Sequence, residues 1–257
     1  MSAADEGRRP AIDADTIRRA MGGERRLPKR FYQTVDVTEG ESGFEIALDG
    51  RPVRTPLTHP LVLPTRSLAE AVAAEWLGQD EVIDPATMPL TRLANTAHDR
   101  VAPRLAEIVA EIATYAGNDL VCYRAEGPDS LVLRQAQHWD PIVQRIEREI
   151  GRRFILVQGV IHHPQPAETI ARLTARLERR DAFTQTGLHT MMTLTGSALI
   201  AEAVTCGFVA AEAAWAAAHV DEDWQIEQWG ADDEAAARRV RREAEFAQSA
   251  RLVRLAS

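Results

Sequence analysis

Apolar and polar residues alternate between residues 31 and 64, which is the period of a half-buried β-strand. The alternation is clearest at 32–38 and 44–48, where β-branched residues are frequent and a turn from Gly40 to Gly43 separates the two segments. Asp49-Gly50 is a strong signal for a two-residue hairpin turn, and a short apolar strand follows it. These features predict a small antiparallel meander.

The pattern becomes helical after Pro64. Leu68, Val72 and Trp76 recur four residues apart on one face, and Ser67 with Glu70 fits a capping box at the start of this helix. Further helical patterns follow to about residue 116. The segment 120–123 is apolar and short, so it is a strand candidate.

Helical periodicity continues almost without interruption from about Ser130. Residues 131–150 form one or two helices, with Pro141 as the candidate break. The other predicted helices span 167–183, 188–206, 208–229, and 233–252 capped by Asp232. The segment 188–206 is the most apolar of them, which places it at the centre of a bundle. Gly196-Ser197 inside it is interpreted as structural.

Strands followed by helices are typical of the α+β class. We therefore expect a small antiparallel β-containing N-terminal domain at residues 30–104 and an α-helical bundle at residues 105–257. Residues 1–29 are polar and arginine-rich and are expected to be flexible, with a short helix around Asp15–Met21.

The amino-acid composition indicates the cellular location and disfavours some classes of ligand. The chain has 38 acidic and 30 basic residues and a net charge of −8, which disfavours a general nucleic-acid-binding protein. Apolar runs are too short to span a membrane, and the first residues lack an apolar signal region, so we expect no membrane insertion and a bacterial cytoplasmic location. Cys122 and Cys206 lie in apolar surroundings and are expected to be buried free thiols.

The usual catalytic motifs are missing from the sequence. It has neither a glycine-rich dinucleotide fingerprint nor a Gly-Lys-Ser/Thr phosphate loop, and no His-Glu-x-x-His or Cys-x-x-Cys metal motif. We therefore predict no cofactor. His162-His163 is a weak metal candidate without a close third ligand, and His138-Trp139-Asp140 is more simply a polar helix end before Pro141.

An acidic cluster with neighbouring tryptophans is the densest chemical feature of the chain. Asp221, Glu222 and Asp223 are consecutive, and Trp224 and Trp229 accompany them. Paired carboxylates support acid–base chemistry or cation binding, and a metal-dependent hydrolase or lyase using this cluster and a histidine is one hypothesis. Aromatic residues beside charges are also typical of a protein-binding surface, so an adaptor is another.

Several motifs together resemble the assembly chaperones of the F-type ATP synthase alpha subunit, also called assembly factor 2 of the F1 complex. The longest covers residues 73–79 and 83–97 and includes Glu75-Trp76 and Met88-Pro89-Leu90-Thr91. A second covers residues 221–230 and ends in Gln228-Trp229-Gly230, although this chain has Trp224 where the family often has tyrosine. Residues 30–32 and 117–124 add to the resemblance, which spans about residues 30–230.

This resemblance implies a binding protein without enzymatic activity. Members of the family bind the free alpha subunit and keep it soluble until it pairs with beta, and the implied fold is a β-containing domain followed by an orthogonal helical bundle. We expect ATP-independent action by a chain that is monomeric when free. The residues predicted to contact the partner are Glu222, Asp221, Asp223, Trp224, Trp229, Trp76, Arg92 and Asn95.

Trp76 has two interpretations. Its position in a family motif favours a partner contact, whereas its place on one face with Leu68 and Val72 favours a core residue. Glu222 is the stronger candidate for direct contact, because a carboxylate beside two tryptophans has little use in a core.

Overall fold

A computed structural model describes residues 27–159 and 161–257 of the chain. The helix expected at Asp15–Met21 lies outside the described residues. A small sheet comes first and helices follow, so the predicted α+β class is confirmed. Among the described residues, no helix combines the length and apolar character needed to cross a bilayer.

The N-terminal sheet has β2 at its centre. The strands are β1 (Val35–Gly40), β2 (Gly43–Leu48), β3 (Arg51–Pro52) and β4 (Val62–Leu63). β1 pairs antiparallel with one edge of β2, from Val35 opposite Leu48 to Gly40 opposite Gly43, while β3 and β4 pair with β2 as well. Asp49 and Gly50 both adopt positive φ, 47° and 76°, as a two-residue turn between twisted strands requires. The predicted meander and both turns are confirmed.

The remaining elements are mostly helical, with one short parallel strand pair, β5 and β6. Their bounds are α1 (Arg66–Leu77), α2 (Pro89–Thr96), α3 (Leu105–Ala116), β5 (Tyr123–Arg124), α4 (Asp129–Ile150), β6 (Val157–Gln158), α5 (Ala167–Leu177), α6 (Ala182–Thr195), α7 (Ala198–Thr205), α8 (Ala211–Ala218), α9 (Val220–Trp229) and α10 (Asp233–Ala256). A π-helical turn at Ala97–Val101 and a 3-10 turn at Ala102–Arg104 join α2 to α3.

The apolar segment 188–206 is two helices rather than the predicted one. α6 ends at Gly196, which has a φ of 71°, and Ser197 begins α7 by accepting a hydrogen bond from the Ile200 amide. The carboxylate of Asp119 fixes this break, since it accepts bonds from the Ser197 hydroxyl at 2.6 Å and the Leu199 amide at 2.9 Å. The prediction that Gly196-Ser197 is structural fits this geometry, but its position inside a helix is wrong.

Other predicted boundaries differ as well, and the helix predicted at 167–183 ends at Leu177. Thr65 rather than the Ser67–Glu70 box caps α1, because its hydroxyl accepts the Leu68 amide. The helix predicted at 208–229 divides at His219 into α8 and α9, and the strand candidate at 120–123 is mostly a 3-10 turn. Of the two alternatives for residues 131–150, the single helix is the one observed: α4 continues through Pro141, with buried residues on both sides of the proline from Gln135 to Ile150. Asp232 caps α10 as predicted.

Two hydrophobic cores share the C-terminal helix α10. The first is built on the sheet, α1 and α2, and it also takes in Leu252 and Ala256 of α10. The second fills the helical bundle and includes Phe246 and Val253 of the same helix. The first core therefore draws residues from both halves of the chain. The division into two domains at residue 104 stays a prediction.

Gly187 lets α6 and α10 approach each other closely, and we expect Gly187→Ala to destabilise the protein by about 2 kcal/mol. A Cβ at this position would overlap Val253 and lie 2.8 Å from the backbone oxygen of Ser249, which cannot rotate away. This strain exceeds the roughly 1 kcal/mol that alanine gains over glycine in a helix. Urea unfolding measures the difference.

Gly40→Ala is the control for this substitution, because a Cβ there meets its nearest neighbour, the Gly43 oxygen, at an ordinary 3.6 Å. A Gly187→Ala variant as stable as the wild type would show that the helices separate without cost.

Candidate functional site

Helix α9 carries the acidic cluster and is held to the surface of the bundle mainly by polar contacts. Of its residues only Val220 is buried. The Asp221 carboxylate accepts a hydrogen bond of 2.7 Å from the side-chain amide of Gln135, a buried residue of α4. The side-chain oxygen of Gln135 in turn accepts a hydrogen bond from the backbone amide of Ala125. Asp221 therefore contributes an anchor between α9 and α4.

Two further carboxylates of α9 form ion pairs with arginines. Asp223 is paired with Arg239 of α10 at 2.5 Å. Glu227 accepts two bonds of 2.8 Å from Arg134 of α4, a bidentate arrangement. These pairs hold α9 between the two longest described helices.

Glu222 differs from the other acidic residues of α9 in its surroundings. Its nearest ionisable contact is the ring of His219 at 3.9 Å, and 43 % of its side chain is exposed. Burial lowers the pKa of His219, and the Nδ1–H of that ring donates a hydrogen bond of 2.8 Å to the Trp215 carbonyl. Because burial disfavours the charged form of the histidine, this contact is a weak ion pair, and Glu222 has no arginine within salt-bridge distance among the described residues, unlike Asp223 and Glu227.

The two tryptophans of the cluster meet edge to face, with ring centroids 5.8 Å apart. Trp224 is half-buried, and its indole N–H donates to the Ser130 hydroxyl at 3.3 Å. Trp229 is 75 % exposed at the end of α9. An indole held against a neighbouring ring but open to solvent is suited to contact another protein.

A groove lies between α9 and α10. It has a volume of about 490 Å³. Its lining includes Glu222, Ile226, Trp229, Asp232, Val240 and Glu243. We call it the α9–α10 groove.

Glu75 and Gln79 connect the parts of the longest family motif. The Glu75 carboxylate accepts the backbone amides of Leu90 and Thr91 at 2.7 and 2.8 Å, and also the Thr91 hydroxyl. It therefore caps the N-terminus of α2 from the end of α1, where negative charge is stabilised. Gln79, which is buried, donates to Thr87 and accepts from the Asp84 amide. The loop between α1 and α2 is fixed by these bonds.

Trp76 packs partly buried against the first core. Its ring meets Tyr32 edge to face at 5.8 Å, and its carbonyl accepts the Tyr32 hydroxyl at 2.7 Å. This placement agrees with the core interpretation of the residue. Its role as a partner contact stays a prediction.

The predicted contact residues Arg92 and Asn95 lie on α2, away from α9. Arg92 is exposed and borders a cavity of about 680 Å³ between α2, α6 and α10. It and half-buried Asn95 also border a smaller cavity near Leu57 and Asp99. The structure thus brings five of the eight predicted residues together on α9 and leaves Trp76, Arg92 and Asn95 on other elements.

The other chemical candidates have structural surroundings. The ring of exposed His162 lies 3.1 Å from the Tyr123 hydroxyl. His138-Trp139-Asp140 lies inside α4 rather than at a helix end, with Trp139 buried and Asp140 paired with Arg124. Within residues 27–159 and 161–257, no three His, Cys, Asp or Glu side chains are placed to hold a metal ion.

The two cysteines are free, as predicted, but only Cys122 is buried in apolar surroundings. Cys206 is partly exposed and lies beside charged groups, and the prediction of apolar surroundings for it is wrong. Its sulfur lies 3.0 Å from Arg176, 3.1 Å from Arg180 and 3.2 Å from Glu202.

Val240 is a groove residue that the sequence patterns did not single out. It is 66 % exposed on α10. The one sequence feature that could have indicated an exposed apolar residue is its position, since Val240 is a lone valine between Arg238-Arg239 and Arg241-Arg242. Helical periodicity alone places such a residue on a charged face, and only the path of α9 alongside it makes it part of an apolar floor.

Known proteins resemble this chain over most of its length. The family model described as ATP12 chaperone protein matches residues 29–147. The crystal structure of Atp12 from Paracoccus denitrificans has a TM-score of 0.87 and 40 % identity, covering 90 % of this chain and 99 % of that one. A solved protein from Agrobacterium tumefaciens has a TM-score of 0.83 and 44 % identity, covering 94 % and 91 %. The mitochondrial protein atp12 of Schizosaccharomyces pombe is 20 % identical over 219 residues, which cover 80 % of this chain and 75 % of that protein.

Proposed function

This chain belongs to the ATP12 chaperone family, whose members assist the assembly of F1-ATPase, and we propose that its client is the free alpha subunit of F1. The chaperone covers an apolar interface of that subunit until the beta subunit replaces it. An unassembled subunit that exposes such an interface is prone to aggregate. The sequence of the chaperone itself has neither a glycine-rich dinucleotide fingerprint nor a Gly-Lys-Ser/Thr phosphate loop. The proposal therefore includes ATP-independent action, with release driven by the competing beta subunit.

The observation that carries this proposal is the surface of α9. An exposed indole, Trp229, and a carboxylate without a close arginine partner, Glu222, lie on a helix whose other carboxylates hold it to the bundle. Exposed aromatic anchors with a polar neighbour are the residue types that dominate binding energy at protein interfaces.

Co-purification tests the client directly. The tagged full chain is expected to recover the alpha subunit, and not assembled F1, from an extract of its own cells. In a purified system it is expected to suppress light scattering by isolated alpha subunit without added ATP. If the alpha subunit neither co-purifies nor stays soluble, the proposal is wrong.

Glu222→Ala is expected to weaken binding of the alpha subunit about tenfold, equal to 1.4 kcal/mol, with little change in stability. The carboxylate has one distant contact within the chain, so its removal leaves no buried group unpaired. Isothermal calorimetry with the alpha subunit measures the affinity, and circular dichroism checks the fold.

Glu212→Ala is the matched control, because Glu212 is also an exposed acidic residue in the first turn of a helix, α8. Equal binding losses for the two variants would assign the effect to net charge rather than to the α9 surface.

A further inference from the structure

The α9–α10 groove exposes apolar side chains that the fold does not use. Trp229 and Val240 are 75 % and 66 % exposed, and half-buried Ile226 lies on the α9 side of the same groove. Ala235 and Ala236 widen the groove because their side chains are small. A contiguous apolar surface of this kind is a mark of an interaction site.

The charged residues around this floor are mostly acidic. Glu222, Asp232 and Glu243 line the groove, whereas Arg239 is the one basic residue among the lining residues. Arg239 is paired with Asp223, and this hydrogen bond raises the pKa of the guanidinium. Since that pair is neutral overall, the charge facing an incoming ligand is negative.

We propose that the α9–α10 groove takes a short amphipathic helix of the client whose apolar face is flanked by lysine or arginine. This inference rests on the proposed function, because the client is the alpha subunit. Apolar side chains of the client helix fill the space between Ile226, Trp229 and Val240. Its basic residues reach Glu222 on one wall and Glu243 on the other.

The two walls of the groove favour a helix as the occupant. Both are α-helices, and amphipathic helices dock into apolar grooves through anchors spaced three or four residues apart. The acidic rim disfavours a nucleic acid, an anionic lipid surface or an acidic peptide, because each would place like charges side by side. A volume of about 490 Å³ accommodates a few large side chains rather than a whole domain.

A peptide scan tests the occupant. Overlapping peptides that together cover the alpha subunit are bound to the full-length chain in low and high salt. The peptides that bind are expected to be apolar and basic, and to bind more weakly as salt rises. Capture of only acidic or uncharged peptides would overturn the proposal.

Val240→Glu tests whether the α9–α10 groove is the binding site. A carboxylate on the floor of the groove is expected to weaken binding of the selected peptide and of the whole alpha subunit at least about tenfold. Ile161→Glu is the control, since Ile161 is 73 % exposed in a loop outside the groove, and it is expected to bind as the wild type does. Both positions are exposed, so both variants are expected to fold, which circular dichroism checks.

The outcomes separate the two proposals. If the wild type binds the alpha subunit and Val240→Glu binds it equally well, the groove is not the site and the client assignment stands. If the wild type binds no alpha subunit, both proposals fail. A wild-type dimer in solution that Val240→Glu dissociates would show that a second copy of this chain occupies the groove, and would also overturn the inference.

Discussion

Replacing Glu202 by alanine is expected to lower the free energy of unfolding by about 3 kcal/mol. The Glu202 side chain is 1 % exposed on α7 and accepts bonds from Arg176 and Arg180 on one carboxylate oxygen, at 2.7 and 2.5 Å. Without it two guanidinium groups are left close together, and that of Arg180 is only 14 % exposed. Water cannot fully replace the lost charge there.

Glu149→Ala is the control for this prediction, because Glu149 contacts the same Arg176 at 3.7 Å, and Arg145 at 3.0 Å, but is 29 % exposed. A pair of this kind contributes about 0–1 kcal/mol. Urea denaturation of both variants measures the contrast. Equal losses would mean that burial does not strengthen the Glu202 contacts, and that the cluster around Cys206 is only a surface network.

Replacing Glu75 by alanine is also expected to lower the free energy of unfolding by about 3 kcal/mol. Hydrogen bonds to a charged group contribute about 1.5–3 kcal/mol each, and Glu75 accepts from two backbone amides and one hydroxyl. The two amides belong to the first turn of α2, where no intrahelical acceptor exists. The loss therefore falls on the start of α2 and on the loop that precedes it.

Hydrogen exchange localises this effect. The amides of Leu90 and Thr91 are expected to exchange faster in Glu75→Ala, while the sheet keeps its protection. Glu70→Ala is the matched control on the same helix, because Glu70 is exposed and its replacement is expected to change stability by less than about 0.5 kcal/mol. Unchanged exchange at residues 90 and 91 would contradict the capping role.

The N-terminal sheet was predictable because its signals are local. The alternation at 44–48 and the Asp49-Gly50 turn specify the strand pairing within a few residues, and Asp49 reinforces the turn by accepting the Gln33 and Thr34 amides. The helix break at Gly196-Ser197 is fixed instead by Asp119, 78 positions away. No local pattern contains that information, so the sequence predicted one continuous helix.

The candidate site shows the same limit. The sequence placed the acidic cluster beside two tryptophans, and it selected Glu222 as the strongest contact. It did not reveal that Asp221 and Asp223 are held by contacts within the chain, because their partners Gln135 and Arg239 lie far off in sequence. The long motif around Trp76 identified the family, yet several of its polar residues are occupied in joining α1 to α2.

Helix α10 has a consequence for how the protein is made. It is the last described element in the chain, and it completes both hydrophobic cores and one wall of the α9–α10 groove. As synthesis proceeds on the ribosome, the residues that α10 adds to both cores and to the groove leave the ribosome after those of the other described elements. Neither core has its full set of packing residues, and the groove has only one wall, until α10 has been made.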